Sequence, residues 1–183
     1  FPEAVLIPEL AFDEVIEMAF YGAQVIHPKT IKPLENKGIP LYVKCFSDAG
    51  LPGTIIFKNQ TKEMPPVIVM KENQALIHLH TKDFSFIGGK PMGHLYPIFE
   101  DLKIKHNLIQ TGAVSLPVCF VDVRDKIEEF ALAAGNDFEV SVEKGLKLLT
   151  IRHFNNALLE KMTEGKNILL TQRTPTTVQA LFR

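Results

Sequence analysis

Several groupings in this 183-residue sequence carry residue types that can do chemistry. Gly88-Gly89-Lys90-Pro91-Met92-Gly93 clusters glycines around a lysine, a composition that suits a phosphate cradle. A phosphate loop, however, needs Gly-Lys-Ser/Thr after four spacer residues, and this run has neither that order nor the hydroxyl, so it reads as a turn. His78 and His80 share one face of an alternating stretch at a spacing that could hold a metal, but no third ligand lies nearby, which leaves them as solvent or interface histidines. His106 reads as a surface residue in the same way. Asp13, Glu14 and Glu17 form a carboxylate cluster at the start of a helical pattern, where the macrodipole favours acids and water solvates them. Cys45 and Cys119 are far apart with no CxxC spacing, the usage of a reduced, cytoplasmic protein. Cys119 lies in an apolar run and reads as a small core residue. The sequence offers no nucleophile–base pair, metal set or phosphate loop, so no catalytic residue and no metal site is assigned to this stretch.

The elements that must position these groups are those of an ordinary globular chain. Hydrophobic residues make up 46% and charged residues 22% of it, outside the range of disordered segments. Twenty Lys and Arg face 21 Asp and Glu for a net charge of -1, which argues against a surface built for nucleic acid or for an anionic membrane. No apolar run approaches the roughly 20 residues that cross a bilayer. The first ten residues carry Glu3 and Glu9 and no basic stretch, unlike a signal peptide. The sequence opens on Phe1 rather than Met, which points to a longer parent chain whose upstream part holds some of the function.

Along the chain, residues 1–50 read as helix, helix, strand. Asp13 caps or opens a helix in which Val15, Ile16, Ala19 and Phe20 recur at helical spacing up to Gly22. A second helix starts at Pro28, is shortened or kinked by Pro33, and stops at Gly38. Residues 39–46 read as a buried strand and residues 54–57 as another, before a polar linker at 59–66 that ends in Pro65-Pro66. Residues 75–81 then alternate as a strand, with Leu76, His78 and His80 on one face and Ile77 and Leu79 on the other. A loop at 87–93 leads to a helix at 94–102, strands at 108–110 and 115–121, a helix from Asp125 to Gly135 with an Asp125-x-x-Glu128 capping box, and a strand at 138–142. That order is βαββαβ. A shorter copy follows: a strand at 146–153, a helix at 157–162, and a hairpin of strands 168–172 and 177–182. The second copy is one strand short, and an open sheet edge is a liability. Residues 54–57 are the candidate to close it, which nests the first copy inside the second. The βαββαβ order is also the RNA-recognition layout, but the central strands offer only Phe120 for stacking.

The segment Phe12-Asp13-Glu14-Val15-Ile16-Glu17-Met18-Ala19-Phe20-Tyr21-Gly22-Ala23-Gln24-Val25-Ile26-His27-Pro28-Lys29-Thr30 resembles the end of the aspartokinase catalytic domain. Pro40-Leu41-Tyr42-Val43-Lys44 and Pro52-Gly53-Thr54-Ile55-Ile56 resemble the family's exit from that domain, and the repeated units resemble its paired regulatory ACT domains. The implied fold class is α+β: two ferredoxin-like ACT domains, the first nested within the second, preceded by a helix-helix-strand remnant of an amino-acid-kinase domain. The implied domains are residues 1–50 (remnant), 66–143 (first ACT domain) and 53–58 with 144–183 (second).

The resemblance implies an enzyme that phosphorylates L-aspartate with MgATP at the head of lysine, threonine and methionine synthesis, inhibited through the ACT pair by an end product. This stretch lacks the catalytic lobe, so it is expected to be inactive alone and to bind no cofactor of its own. Gln24 and Val25 fall where the family contacts nucleotide, although its usual lysine there is Gln24. A helix N-terminus suits an amino acid's carboxylate, which makes Met92, Gly93, His94 and Leu95 the expected receptor. The following strand, with Asn107, Gln110 and Thr111, is the implied partner wall. Asn107 stands where lysine-sensitive members have Asp, and gives a hydrogen bond without charge assistance. The implied partners are lysine or threonine, the chain's own kinase domain, and a second copy in a homodimer. The alternative is a purely structural, dimer-forming ACT pair.

Overall fold

The computed structural model describes residues 3–58 and 64–183. Its elements are β1 (Glu9–Ala11), α1 (Phe12–Tyr21), α2 (Pro28–Lys37), β2 (Leu41–Val43), β3 (Thr54–Phe57), β4 (Val67–Thr81), α3 (Lys90–Asp101), β5 (His106–Ile109), β6 (Ser115–Val121), α4 (Arg124–Ala134), β7 (Phe138–Arg152), α5 (Asn156–Thr163), β8 (Ile168–Arg173) and β9 (Thr177–Phe182). They fall into two compact units, residues 1–69 with 151–155, and residues 70–150 with 156–183. Most of the 59–66 linker lies outside the described residues.

In the first unit β3 runs between β1, parallel to it, and β2, antiparallel to it. The expectation that residues 54–57 close the second repeat is therefore wrong. Ile55 and Ile56 pair with Glu9 and Leu10 on one side and with Tyr42 and Leu41 on the other, so both edges of β3 are taken. Leu10, Phe12, Val15, Ile31 and Ile56 form the core here. The buried stripe of α1 is Phe12 and Val15, while Phe20 faces solvent. Asp13 sits inside the first turn of α1, and the N-cap is Ala11. Pro33 does not end α2. It removes a single mid-helix bond, and the helix runs from an N-cap at His27, whose Nδ1 accepts from the Lys29 N–H (3.2 Å), to Gly38. The strand expected at 39–46 shrinks to β2, with Ile39 and Phe46 exposed.

The second unit is built on a six-stranded sheet in the order β5-β6-β4-β7-β9-β8. The two repeats share it through two 15-residue strands. β4 begins eight residues before the expected strand, and the strands expected at 138–142 and 146–153 are one, β7. Each long strand carries a residue in the left-handed region near its middle, Asn73 (φ 54°) and Gly145 (φ 72°). Lys147 Nζ lies 2.8 Å from Glu72 Oε1, and His78 Nε2 lies 3.3 Å from Glu143 Oε1, so β4 and β7 run in opposite directions. The early stretch of β4 thus lies beside the late stretch of β7. It supplies the strand that the second copy lacks, and the first copy is still nested within the second.

Alternation along β4 sends Ala75, Ile77 and Leu79 to one face, where Leu95 and Phe99 of α3 and Ile127, Phe130 and Ala134 of α4 cover them. Leu76 goes to the other face with Leu108, Cys119, Leu146, Leu148 and Leu181. α4 is capped at Val123, so Asp125 is a first-turn acid rather than half of a capping box.

Candidate functional site

α3 sets the geometry of the expected receptor, and it starts four residues earlier than the sequence pattern suggests. Pro91 is tolerated because an N–H in the first turn has no intrahelical partner to lose. Residues 92–95 are therefore inside the helix and not at the loop junction, which falls at Gly89 and Lys90. Leu95 is fully buried and Met92 packs against the same core, so two of the four side chains serve the interior. The Met92 N–H donates to Ile87 O (3.2 Å) and Pro91 has none, which leaves this terminus with less to offer an anion than a bare helix end. Gly93 and His94 are exposed, and a Cβ added at Gly93 would meet nothing within 4 Å.

His94 Nδ1 lies 3.0 Å from Asp137 Oδ2. Beside that pair is a surface hollow of about 320 Å³, lined by Lys82, Asp83, Ser85, Lys90, Pro91, Asn136 and the two paired residues. Hydrogen bonds from Ser85 N–H and Oγ hold the Asp83 carboxyl below its usual range. The hollow thus presents both signs of charge at the start of a helix, the polarity of a free amino acid in reverse.

The strand wall divides. Gln110 N–H donates to Pro117 O (3.1 Å), and both Gln110 and Thr111 are exposed. The loop after them meets the segment before α3, where Ile87 N–H donates to Ala113 O (2.9 Å) and Thr81 N–H to Val114 O (3.0 Å). Asn107 is at the other end of the sheet, level with the Cys119–Phe120 end of β6. At about 3.3 Å per strand residue, it is roughly 15 Å from the Ser115 end, farther than one amino acid reaches. Its side chain is also engaged. Lys71 Nζ donates to Asn107 Oδ1 (2.8 Å), and Asn107 Nδ2 donates to Gln74 Oε1 (2.7 Å). Burial lowers the Lys71 ammonium below its ordinary value, and the neighbouring Cys119 thiol is pushed up to about 12 by its own burial. Sequence reasoning missed this Lys71–Asn107–Gln74 network because Lys71 and Gln74 precede the strand expected at 75–81, whereas β4 begins at Val67.

Gln24 and Val25 are exposed in the loop between α1 and α2, over a hollow of about 390 Å³ that His27 and Pro28 also line. His80 Nδ1 lies 3.1 Å from Thr81 O. Phe120 is wholly buried, so the central strands present no base-stacking surface there. No helix among the described residues is long and apolar enough to cross a membrane.

Residues 1–45 match the amino acid kinase family. Over 88% of its length the chain is 34% identical to the lysine-sensitive aspartokinase 3 of Escherichia coli, of which it spans 37%. The aspartate kinase structure from Clostridium acetobutylicum superposes on 99% of the chain with a TM-score of 0.80 at 18% identity, the match taking in 46% of that chain. A C-terminal regulatory domain of aspartate kinase from Porphyromonas gingivalis shares the fold over 65% of this chain and 86% of its own, with a TM-score of 0.56 at 15% identity. The class so defined is the mixed α+β fold of aspartate kinase chains, with the amino acid kinase match confined to residues 1–45. The proteins that this chain resembles are aspartokinases, and it spans well under half the length of the curated relatives it matches.

Proposed function

We propose that this chain is the regulatory region of an aspartate kinase, which senses lysine or threonine and pairs with a second copy in a cytoplasmic homodimer. The observation that carries the reading is the hollow beside His94 and Asp137, set on a sheet that two repeats build jointly. An amino acid's carboxylate is suited to Lys82 and Lys90, and its ammonium to the acids opposite. Asn107 is too distant to contact the same molecule in one chain. It joins the site in this reading only if a second copy brings its own Asn107 to the start of α3.

The upstream kinase lobe would transfer phosphate from MgATP, as substrate, to the side chain of aspartate. Gln24 and Val25 would meet the nucleotide by hydrogen bonding alone, since residues 22–27 carry no Lys or Arg and the phosphate charge must be met elsewhere. The 183 residues alone are expected to return background turnover. A thermal-shift screen with the twenty amino acids, followed by calorimetry with lysine and threonine, tests the sensing role, because a ligand of the folded state raises its stability by mass action. Silence from every amino acid, with a dimer present in solution, would favour the structural pairing module instead.

A further inference from the structure

The last residue of β7 is held by several polar groups of the first unit. Arg152 Nε donates to Glu14 Oε1 (2.7 Å) and its Nη2 to Glu14 Oε2 (2.8 Å), a two-pronged pairing, while Nη1 donates to Glu17 Oε2 (3.0 Å). The guanidinium also lies 5.9 Å from the centre of the Tyr21 ring. Glu14, Glu17 and Tyr21 are spaced i, i+3, i+7, so one arginine grips two turns of a single face of α1. The arginine side chain is only 10% exposed and that of Glu14 13%. His153 follows in the left-handed region (φ 50°), with Nε2 3.0 Å from Glu14 Oε1 but out of line for a hydrogen bond. Arg152, His153 and all of α1 belong to the first unit.

We propose that Arg152 is a positioning residue that fixes α1, and through it the loop at residues 22–27, to the end of β7. A buried ion pair is a poor means of adding stability, because desolvating both partners offsets most of their attraction, whereas its geometry specifies one arrangement. The planar guanidinium fork accepts a single register of the carboxylate, which a lysine would not enforce. α1 ends at Gly22 (φ 114°) and passes directly into the loop that bears Gln24 and Val25, so an error in the seat of α1 is carried to that loop. The clamp stands on this geometry; what the loop would touch rests on the function proposed above.

Hydrogen exchange read by mass spectrometry on the full 183-residue chain, without ligand, decides it. Arg152→Met is expected to speed exchange across residues 14–27 at least tenfold while α3 and α4 keep their protection. Arg152→Lys, which keeps the charge and loses the fork, should fall between wild type and Arg152→Met. Asp13→Asn, on the same helix turn but outside the clamp, should leave the 14–27 pattern as in wild type. Should Arg152→Met fail to fold, Arg152→Lys and Glu14→Gln report the same segment. Unchanged exchange at 14–27 would overturn the clamp. So would equal acceleration throughout the chain, or an Asp13→Asn effect as large as that of Arg152. Because no ligand is used, failure of amino-acid sensing leaves this result intact.

Discussion

Phe99 of α3 and Phe130 of α4 stack with ring centroids 5.2 Å apart and planes 6° from parallel. Phe120 of β6 meets both rings, at 5.7 and 5.3 Å, so the two helices and the sheet share one aromatic contact. Phe130 is fully buried. Phe130→Ala should lower unfolding stability by about 3–5 kcal/mol, and Phe130→Leu by markedly less. Denaturant titration checks this, and an alanine variant with an unmoved midpoint would refute the packing account.

Two glycines should respond to alanine with opposite signs. A Cβ meets nothing at either Gly93 or Gly145, so space does not separate them. Gly93 is helical, and alanine there should raise stability by up to about 1 kcal/mol. Gly145 has φ 72°, and alanine should lower stability by about 1 kcal/mol. If an amino acid seats against the α3 backbone, Gly93→Ala should weaken its binding in calorimetry while the melting temperature rises.

The acid limb of stability should report Glu14. Burial alone would raise its pKa, but the hydrogen bonds from Arg152, together with the nearness of Arg152 and His153, outweigh that and hold it below the ordinary value. A depressed carboxylate contributes stability that is present above its unfolded pKa and is lost as pH falls through the lower folded value. Glu14→Gln should cost about 1.5–3 kcal/mol near neutral pH, since it replaces the charged two-pronged partner of a buried arginine that keeps Glu17, and should flatten the loss below pH ~4.5. Melting curves from pH 7 downward test both effects, and parallel curves would contradict the assignment.

The two cysteines should label at very different rates. Cys45 is exposed, whereas Cys119 is buried and its thiol is pushed up to about 12. An alkylating reagent at pH 8 should modify one thiol quickly in the native chain and the second only after unfolding. Rapid loss of both, followed by mass spectrometry, would show the sheet to be looser than described.

Much of the fold was legible in the sequence where pattern and punctuation agree. α1 ends at Gly22, β6 and β9 have the expected bounds, and alternation correctly sorted Leu76 from Ile77 and Leu79. The repeat and its missing strand were also legible, but the strand chosen to complete it was not the right one. Val67-Ile68-Val69 is rich in β-branched residues and directly follows two prolines, a signal for the true start of β4 that Lys71 and Glu72 obscure. The three-residue β1 is too short to show any period. At the candidate site, the early start of α3 was hidden because Pro91 and Gly93 read as loop residues although both fit a first turn. Arg152 was invisible as a partner because nothing along the chain places it beside Glu14, 138 positions away.

β4 and β7 each carry a left-handed residue at mid-length and serve both repeats, so neither half is a cassette that can be excised. A single cut between the copies would strip the outer strand from one half and bare a row of backbone N–H and C=O groups on the other. Lineages that shed or exchange one half must therefore rebuild a strand at the seam, and nicking within either long strand should unravel both repeats together.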